Sequence, residues 1–390
     1  MNVLFLMGRM LIAGGVEKIT IELANSLQAR GINVSIICFE IEDEDKIKTK
    51  LADGVELFVL SFPVGSKNNK TCFKDILKKK KIDFIVNQWA VPWYVTKFIR
   101  QCTDGTNVRL ISVHHSLPNN NSKITAVKGL MSKSRCLKPL YGVLLNLITF
   151  VSKRSLRKVY QHSDRFILLS PSFIPLFKNF IGISDANKVS AIPNFIKSSD
   201  IGECTTKTNE IICVGRVDYN SKCTYRIVEI WQQLESKFPD WSVTVVGDGP
   251  DFDDLKQRVE ASGLNRLNLT GYANPLPYYR RSKILLHLSE YEGFGLVILE
   301  AMCNGTVPVV LNSFATLSDL IRNNDMGIKL SYPYDENQAV SILSDLMRDN
   351  QRINFMSKNC KLIYTDFSED TIVDRWINLF ENISSSCQTV

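Results

Sequence analysis

The sequence predicts an α/β protein built as two tandem parallel-sheet domains, each sheet covered by helices on both faces. Three observations carry this. Short apolar runs alternate with helical-period segments through the first half of the chain. A second series of the same kind begins at Glu210-Ile211-Ile212-Cys213-Val214-Gly215. Between them, from Ser198 to Asn209, lies a polar stretch poor in strand formers. At 390 residues the chain is long enough for two separate cores. The division expected is a first domain over 1–196, a linker over 197–208, a second domain over 209–367 and a terminal helix over 368–390.

In the first domain Val3–Met7 reads as a buried strand and Gly8 to Gly15 as a loop. Val16–Arg30 has apolar residues at Val16, Ile19, Leu23 and Leu27, a helical spacing, and Gly31 stands where a helix stops. Ile32–Phe39, Val55–Leu60, Ile82–Val86, Val108–Val113 and Arg165–Leu169 read as further strands. In the second domain a helix is expected from about Tyr225 to Glu235, then strand Ser242–Val246. The turn Gly247-Asp248-Gly249-Pro250, helix Asp251–Ala261 and strands Leu267–Gly271, Ile284–Leu288 and Val307–Leu311 follow. The tail from Ser368, with Ile372, Val373, Trp376, Leu379 and Phe380, has a helical period whose destination the pattern alone does not give. Tandem parallel sheets place a ligand cleft at the C-terminal ends of their strands, between the domains.

Composition narrows the function classes. The opening Asn2–Met7 run lacks a basic leader and is short, so it reads as a strand, not a signal peptide. No run is long enough for a membrane span. Ten cysteines with no Cys-x-x-Cys pair, several inside apolar strands, read as free thiols of a reducing compartment. Four histidines without ligand spacing indicate no metal site.

The net charge of +7 is unevenly spread. No Asp or Glu stands between Asp104 and Asp164, an interval holding Arg109, Lys123, Lys128, Lys133, Arg135, Lys138, Lys153, Arg154, Arg157 and Lys158. Within it Pro139–Val151 is apolar. Two readings stand open: a core helix with basic flanks, or an amphipathic helix on an anionic membrane surface. Nucleic acid is disfavoured, because no recognition motif accompanies the charge.

The most informative stretch is Ser289-Glu290-Tyr291-Glu292-Gly293-Phe294-Gly295-Leu296-Val297-Ile298-Leu299-Glu300-Ala301-Met302. Two carboxylates, Glu292 and Glu300, bracket a glycine turn and a helix start. The glycines allow close backbone approach, and the helix N-terminus favours an anion. Glutamates able to grip hydroxyl pairs beside an anion site suit a nucleotide sugar. A glycosidase pair flanking one bond from two faces does not fit eight residues of turn and helix. Gly215-Arg216 and Lys222 leave the first strand of the second domain, where cations can neutralise a diphosphate without a metal. His114 and His115 end a strand on its ligand side, and either can meet a sugar hydroxyl. Gly14-Gly15 opens a helix but completes neither a dinucleotide loop nor a P-loop, which sets aside nucleotide-sugar epimerases and other oxidoreductases.

Taken together these stretches resemble the retaining glycosyltransferases of family 4, also called group 1, whose GT-B fold sets two Rossmann-like domains across a cleft. The resemblance spans nearly the whole chain and is strongest from Glu210 to Leu311. Its most specific part is Glu292-x7-Glu300 with Gly-Phe-Gly-Leu-Val between, running on through Cys303-Asn304-Gly305-Thr306-Val307-Pro308. Weaker matches are Val246–Pro250, Ile192-Pro193-Asn194 and Gly14-Gly15-Val16-Glu17. The resemblance implies a first domain for the acceptor, a second for the donor and a last helix returning to the first domain.

It implies that Glu292 contacts the sugar and stabilises developing positive charge, and that Glu300 holds the ribose. Arg216 and Lys222 would neutralise the diphosphate beside Gly215. Gly293, Phe294, Gly295, Leu296 and Val297 would line the donor site, and the Gly14-Gly15 loop would close on it. His115, or less so His114, would sit beside the transferred sugar. Cys223-Thr224 departs from the Gly or Arg-Val usual after the lysine. The implied enzyme is a metal-independent, retaining hexosyltransferase without cofactor. It would move galactose, N-acetylglucosamine or another hexose from a UDP-sugar to a lipid-linked or growing glycan of a bacterial capsule, O-antigen or lipopolysaccharide. Its expected place is cytoplasmic, peripheral on the inner face of the membrane. A GDP-mannose-dependent mannosyltransferase and a non-catalytic nucleotide-sugar-binding protein are the alternatives.

Overall fold

The computed structural model describes residues 1–12, 14–120, 122–133, 137–202 and 206–385. Arg135 and three of the ten cysteines, Cys136, Cys204 and Cys387, lie outside the described residues. The chain forms two compact units. One comprises Met1–Phe195 with the helix Glu369–Ser385, the other Ile196–Ser368.

The strands of the first unit are β1 (Asn2–Leu6), β2 (Arg9–Met10), β3 (Asn33–Cys38), β4 (Glu40–Ile41), β5 (Glu56–Val59), β6 (Phe84–Asn87), β7 (Arg109–His114), β8 (Arg165–Leu168) and β9 (Val189–Ala191). Seven make one sheet in the order β5-β3-β1-β6-β7-β8-β9, all parallel, and β2 pairs with β4 separately. Val3, Leu4, Phe5 and Leu6 are all fully buried. A strand buried on both faces reads as a continuous apolar run, as this one does. Helix Gly15–Ala29 buries Ile19, Leu23 and Leu27 as its spacing predicts.

The helix Glu369–Ser385 packs on this unit. Ile372, Val373, Trp376 and Phe380 are buried, with Phe380 against Phe84 at 5.0 Å between ring centroids. Arg30 ties its first turns by ion pairs to Asp370 at 2.5 Å and Asp374 at 2.8 Å. The terminal helix therefore belongs with the first sheet.

The second unit contains β10 (Thr208–Val214), β11 (Ser242–Val246), β12 (Leu267–Leu269), β13 (Ser282–His287), β14 (Val307–Leu311) and β15 (Ile328–Leu330). They form a parallel sheet in the order β12-β11-β10-β13-β14-β15. Its core joins Ile211, Val243 and Ile284 to Trp231, Leu255 and Leu343 from the covering helices. Ile196 and Ser368, the end residues of this unit, form an isolated parallel bridge. The polar stretch after Ile196 is anchored. Asn304 bonds the Gly202 amide at 2.9 Å and the Asp200 carbonyl at 3.0 Å, and the Lys207 ammonium donates to Thr306 Oγ1 at 2.9 Å. The Asn304-Gly305-Thr306 part of the long motif is thus structural.

The helix Lys138–His162 has 25 residues, far longer than the apolar run that marks it. Pro139–Val151 does not enter a core: Leu140, Val143, Leu147 and Phe150 are exposed. This corrects the core-helix reading. The helix reaches the core only at its far end, through Leu156, Val159 and Tyr160. No helix among the described residues is long and apolar enough to cross a membrane.

Candidate active site

In a parallel sheet the ligand crevice opens where strand order reverses, beyond the C-terminal strand ends. In the second unit that point lies between β10 and β13. Gly215-Arg216 follows β10, and Leu288 to Glu292 follows β13. The β10 loop is locked to its neighbour. The Val217 amide donates to the Asp248 carbonyl at 3.0 Å, and the Tyr219 amide to the Asp251 carboxylate at 2.6 Å. Gly247, at φ +146°, lies so close that a Cβ would fall 1.9 Å from the Gly215 carbonyl oxygen. The Gly247-Asp248-Gly249-Pro250 turn therefore shapes the loop that carries Arg216.

Two chain segments meet at Glu292. Its Oε1 accepts from the Lys222 ammonium, lies 2.7 Å from His287 Nε2 and accepts from Ser289 Oγ at 3.3 Å. Burial works against the charged carboxylate, but the Lys222 charge and the His287 hydrogen bond outweigh it and hold the carboxyl at about 2. Glu292 is thus an ionised, oriented group at neutral pH. The loop before it is pinned as well. The Arg226 guanidinium pairs with Glu290 at 2.6 Å, stacks 4.1 Å from the Tyr334 ring centroid, and donates to the Leu288 carbonyl at 3.2 Å.

Glu292 leads into the helix Leu296–Cys303, capped by Gly295 at φ +88°. That backbone favours glycine. The first amides of such a helix, those of Leu296 and Val297, have no partner inside it and present a positive dipole end. Glu300 lies one turn on and accepts from the hydroxyl of buried Tyr279 at 3.0 Å. The Phe294 ring is buried at 5.9 Å from Phe367, so only its backbone is left for a ligand. Gly293 lies between Glu292 and that ring in the chain.

Arg216 differs from Lys222. Its side chain is 67% exposed and its nearest acid, Asp218, is 3.9 Å away. A cavity of about 20 Å³, lined by Gly215, Arg216, Lys222, Thr224, His287 and Ser289 among others, joins these groups. Cys223 follows Lys222 with φ +52°, in the left-handed region that favours glycine. Its thiol is buried, which pushes it up to about 11.

In the first unit the equivalent strand reversal lies between β1 and β6. A pocket of about 530 Å³ opens there, lined by Met7, Gly8, Arg9, Val16, Glu17, Phe62, Gln88, Trp89 and Tyr94. Trp89 meets Phe62 and Tyr94 edge-on, with centroids 6.2 and 5.8 Å apart. Gln88 Oε1 lies 2.5 Å from His115 Nε2. Burial holds His115 at about 3, with neighbouring His114 adding to it, and holds His114 at about 4. The His114 ring is buried near Phe166, whereas His115 is only partly buried. Gly14 caps the helix Gly15–Ala29, and the Glu17 carboxylate folds back so that a Cβ on Gly14 would lie 1.8 Å from it.

The structure thus brings Lys222, Glu292, Gly215 and Arg216 to one place and puts Gly295, Leu296, Val297 and Glu300 on the helix beside them. Gly14, Gly15 and His115 lie in the other unit. Sequence reasoning missed His287, Ser289, Tyr279 and Arg226. His287 carried a usable signal: it closes a parallel strand five residues before Glu292. Among the described residues no group of three or more His, Cys, Asp or Glu could hold a metal.

The chain matches the family described as Glycosyltransferase Family 4 over residues 13–200 and that described as Glycosyl transferases group 1 over 195–362. Together the matches cover residues 13 to 362 without a break. An uncharacterized glycosyltransferase of Haemophilus influenzae is 22% identical over 93% of this chain and 95% of its own. A lipopolysaccharide core biosynthesis mannosyltransferase, LpsB of Rhizobium meliloti, is 33% identical over 38% of this chain and 44% of its own. Anabaena HepE, crystallised with UDP and glucose, superposes with a TM-score of 0.71 at 18% identity, over 98% of this chain and all of its own.

Proposed function

We propose that this chain, a glycosyltransferase of GT-B fold, moves a hexose from a UDP-sugar to a lipid-linked or growing glycan of a bacterial surface polysaccharide. The anomeric configuration is kept, and no metal takes part. The observation that carries the reading is the Lys222–Glu292–His287 cluster at the β10/β13 strand ends. An ionised carboxylate beside an ammonium at these strand ends supports a site that takes a sugar and its phosphate.

Bond breaking between the anomeric carbon and the β-phosphate oxygen leaves positive charge on the sugar and negative charge on the diphosphate. Preorganised charges stabilise both without reorganising. Glu292, ionised and held by three partners, faces the positive side. Lys222, exposed Arg216 and the amides of Leu296 and Val297 serve the negative side, with Gly215, Gly293 and Gly295 allowing close approach. Glu300, oriented by Tyr279, takes the ribose diol. The acceptor hydroxyl attacks from the leaving-group face and its proton passes to the departing phosphate oxygen, which keeps configuration and needs no protein nucleophile.

The aromatic pocket of the first unit suits the acceptor, since sugar faces stack on rings such as Trp89. His115, neutral at pH 7, offers a hydrogen bond to a sugar hydroxyl. Galactose and N-acetylglucosamine are the first sugars to test. HepE's UDP and glucose support the UDP choice, and LpsB supports GDP-mannose as the rival.

The deciding experiment offers purified protein a panel of nucleotide sugars and measures nucleoside diphosphate release. One donor should be cleaved slowly without acceptor. Glu292→Gln and Arg216→Ala should each lower that rate at least about tenfold, or ~1.4 kcal/mol of transition-state stabilisation. Rates unchanged in both variants would sink the site assignment. No cleavage of any donor, with tight binding of one, would favour the non-catalytic binding protein.

A further inference from the structure

The helix Lys138–His162 carries a stripe that the core does not use. Leu140, Val143, Leu144, Leu147, Phe150 and Val151 recur at spacings of three and four, which puts them on one helix face. All are exposed, Val143 at 68% and Phe150 at 60%. Soluble surfaces seldom carry so continuous an apolar strip, and such strips mark interaction sites. Helix Ser122–Lys133 packs alongside and adds exposed Leu130.

Charge identifies the partner. Arg154 continues the same face one turn past Phe150, and Lys153 and Arg157 flank it, all exposed. No acidic residue stands between Asp104 and Asp164, so neither of these two helices brings a negative charge to the surface. A second copy of the chain docking through the same face would set cations against cations, which is unfavourable. A nucleic acid offers no place for six apolar side chains. An anionic lipid surface satisfies both parts, with headgroups for the cations and the acyl boundary for the stripe. From Leu140 to Val151 the stripe is about 17 Å long, against ~30 Å for a bilayer core, so it lies along the surface and does not span it.

We propose that this helix is a membrane-docking element that seats the first unit on an anionic lipid surface, with Leu140, Leu147 and Phe150 in the acyl boundary and Arg154 and Arg157 at the headgroups. The proposal goes beyond the transfer chemistry and rests on the geometry of the helix alone. If the acceptor is lipid-linked, docking confines the enzyme to the surface that holds its substrate.

The test is partition of the full chain onto vesicles, read by co-sedimentation without any nucleotide sugar. Wild type should bind mixed phosphatidylcholine–phosphatidylglycerol vesicles, bind pure phosphatidylcholine weakly, and lose binding as salt rises. The double variant Leu147→Gln/Phe150→Gln should partition at least about tenfold less. Arg154→Glu/Arg157→Glu should do the same through charge, and keeps the proposal testable if the first variant folds poorly. Donor cleavage in solution should be unchanged in both, because neither touches the cluster around Glu292. Equal binding to neutral and anionic vesicles, equal binding by wild type and variants, or no binding at all would overturn the proposal. So would a wild-type dimer that the Leu147→Gln/Phe150→Gln change dissociates, which would make a second copy the occupant. Vesicle binding and donor cleavage are read separately, so either proposal can fail alone.

Discussion

The two units share one plan and differ in what they place at the same point of it. Both are parallel sheets whose order reverses at a central strand, β1 in the first and β10 in the second. Beyond β10 and β13 stands an ionised cluster: Lys222 on Glu292, with His287 and Ser289 completing it. Beyond β1 and β6 stands a mainly aromatic one, whose lining also carries Arg9 and Glu17. Trp89, Phe62 and Tyr94 line an open pocket, and the nearby histidines are held uncharged by burial. One set of strand ends gathers paired charges and the other gathers ring faces. The same topology thus carries two kinds of lining, and the side chains at the strand ends set the difference.

The sharpest way to break this contrast is to discharge the second unit. Lys222→Ala removes the counter-charge of a carboxylate whose side chain is only 14% exposed. Leaving such a group unpaired should cost about 3 kcal/mol of stability, visible as a lower urea midpoint for the second unit. Donor cleavage should fall by about a hundredfold or more, since both the phosphate partner and the orientation of Glu292 are lost. Lys222→Ala with stability and cleavage near wild type would show that the cluster is a surface ion pair and that the contrast is only apparent.

Acid should separate the units next. The histidines of the first unit are depressed to about 4 and about 3 in the folded state. Between the unfolded value near 6.5 and those values the unfolded chain binds more protons, so stability is full above about pH 6.5 and falls as pH drops below it. Glu292 is depressed to about 2, so its contribution is present above about 4.5 and lost only as pH falls towards 2. At pH 5 each of these two histidines should have cost the first unit on the order of 2 kcal/mol, while the second unit has lost little. Hydrogen exchange read by peptide should show helix Gly15–Ala29 and β7 opening before β10 and β13. Simultaneous opening would mean that His114 and His115 are not held neutral.

How much of this was legible beforehand differs by element. β1 and β10 were readable because a strand buried on both faces is a continuous apolar run. The helix Glu369–Ser385 was readable in period but not in destination, because Trp376 and Phe380 show only that they face something apolar. Glu292, Glu300 and Gly295 were visible as a motif, but the ion pair with Lys222 was not. That pair joins residues 70 apart and exists only once β10 and β13 are neighbours. The same holds for Tyr279, whose hydroxyl finds Glu300 across a helix start. Phe294 read as a donor-lining residue, yet its ring is a core side chain next to Phe367. Pro139–Val151 was ambiguous by composition alone, since an apolar helical stripe looks the same whether it meets a core or the outside.

The aromatic site of the first unit gives the smallest expected effect and the finest test. Trp89 lies against the Gly8 backbone so closely that a Cβ there would fall 2.6 Å from its ring, and its edges meet Phe62 and Tyr94. The indole is therefore held in place before any ligand arrives, which lowers the ordering cost of stacking a sugar on it. If the pocket takes the acceptor, Trp89→Ala should raise the acceptor KM by about tenfold, matching ~1.4 kcal/mol of lost ring contact, and Trp89→Phe should recover part of it. Donor cleavage in the absence of acceptor should stay at the wild-type rate in both, because the ionised cluster belongs to the other unit. A Trp89→Ala enzyme that loses donor cleavage as well would place donor chemistry on the first unit and erase the division of labour between the ion-paired and the aromatic strand ends.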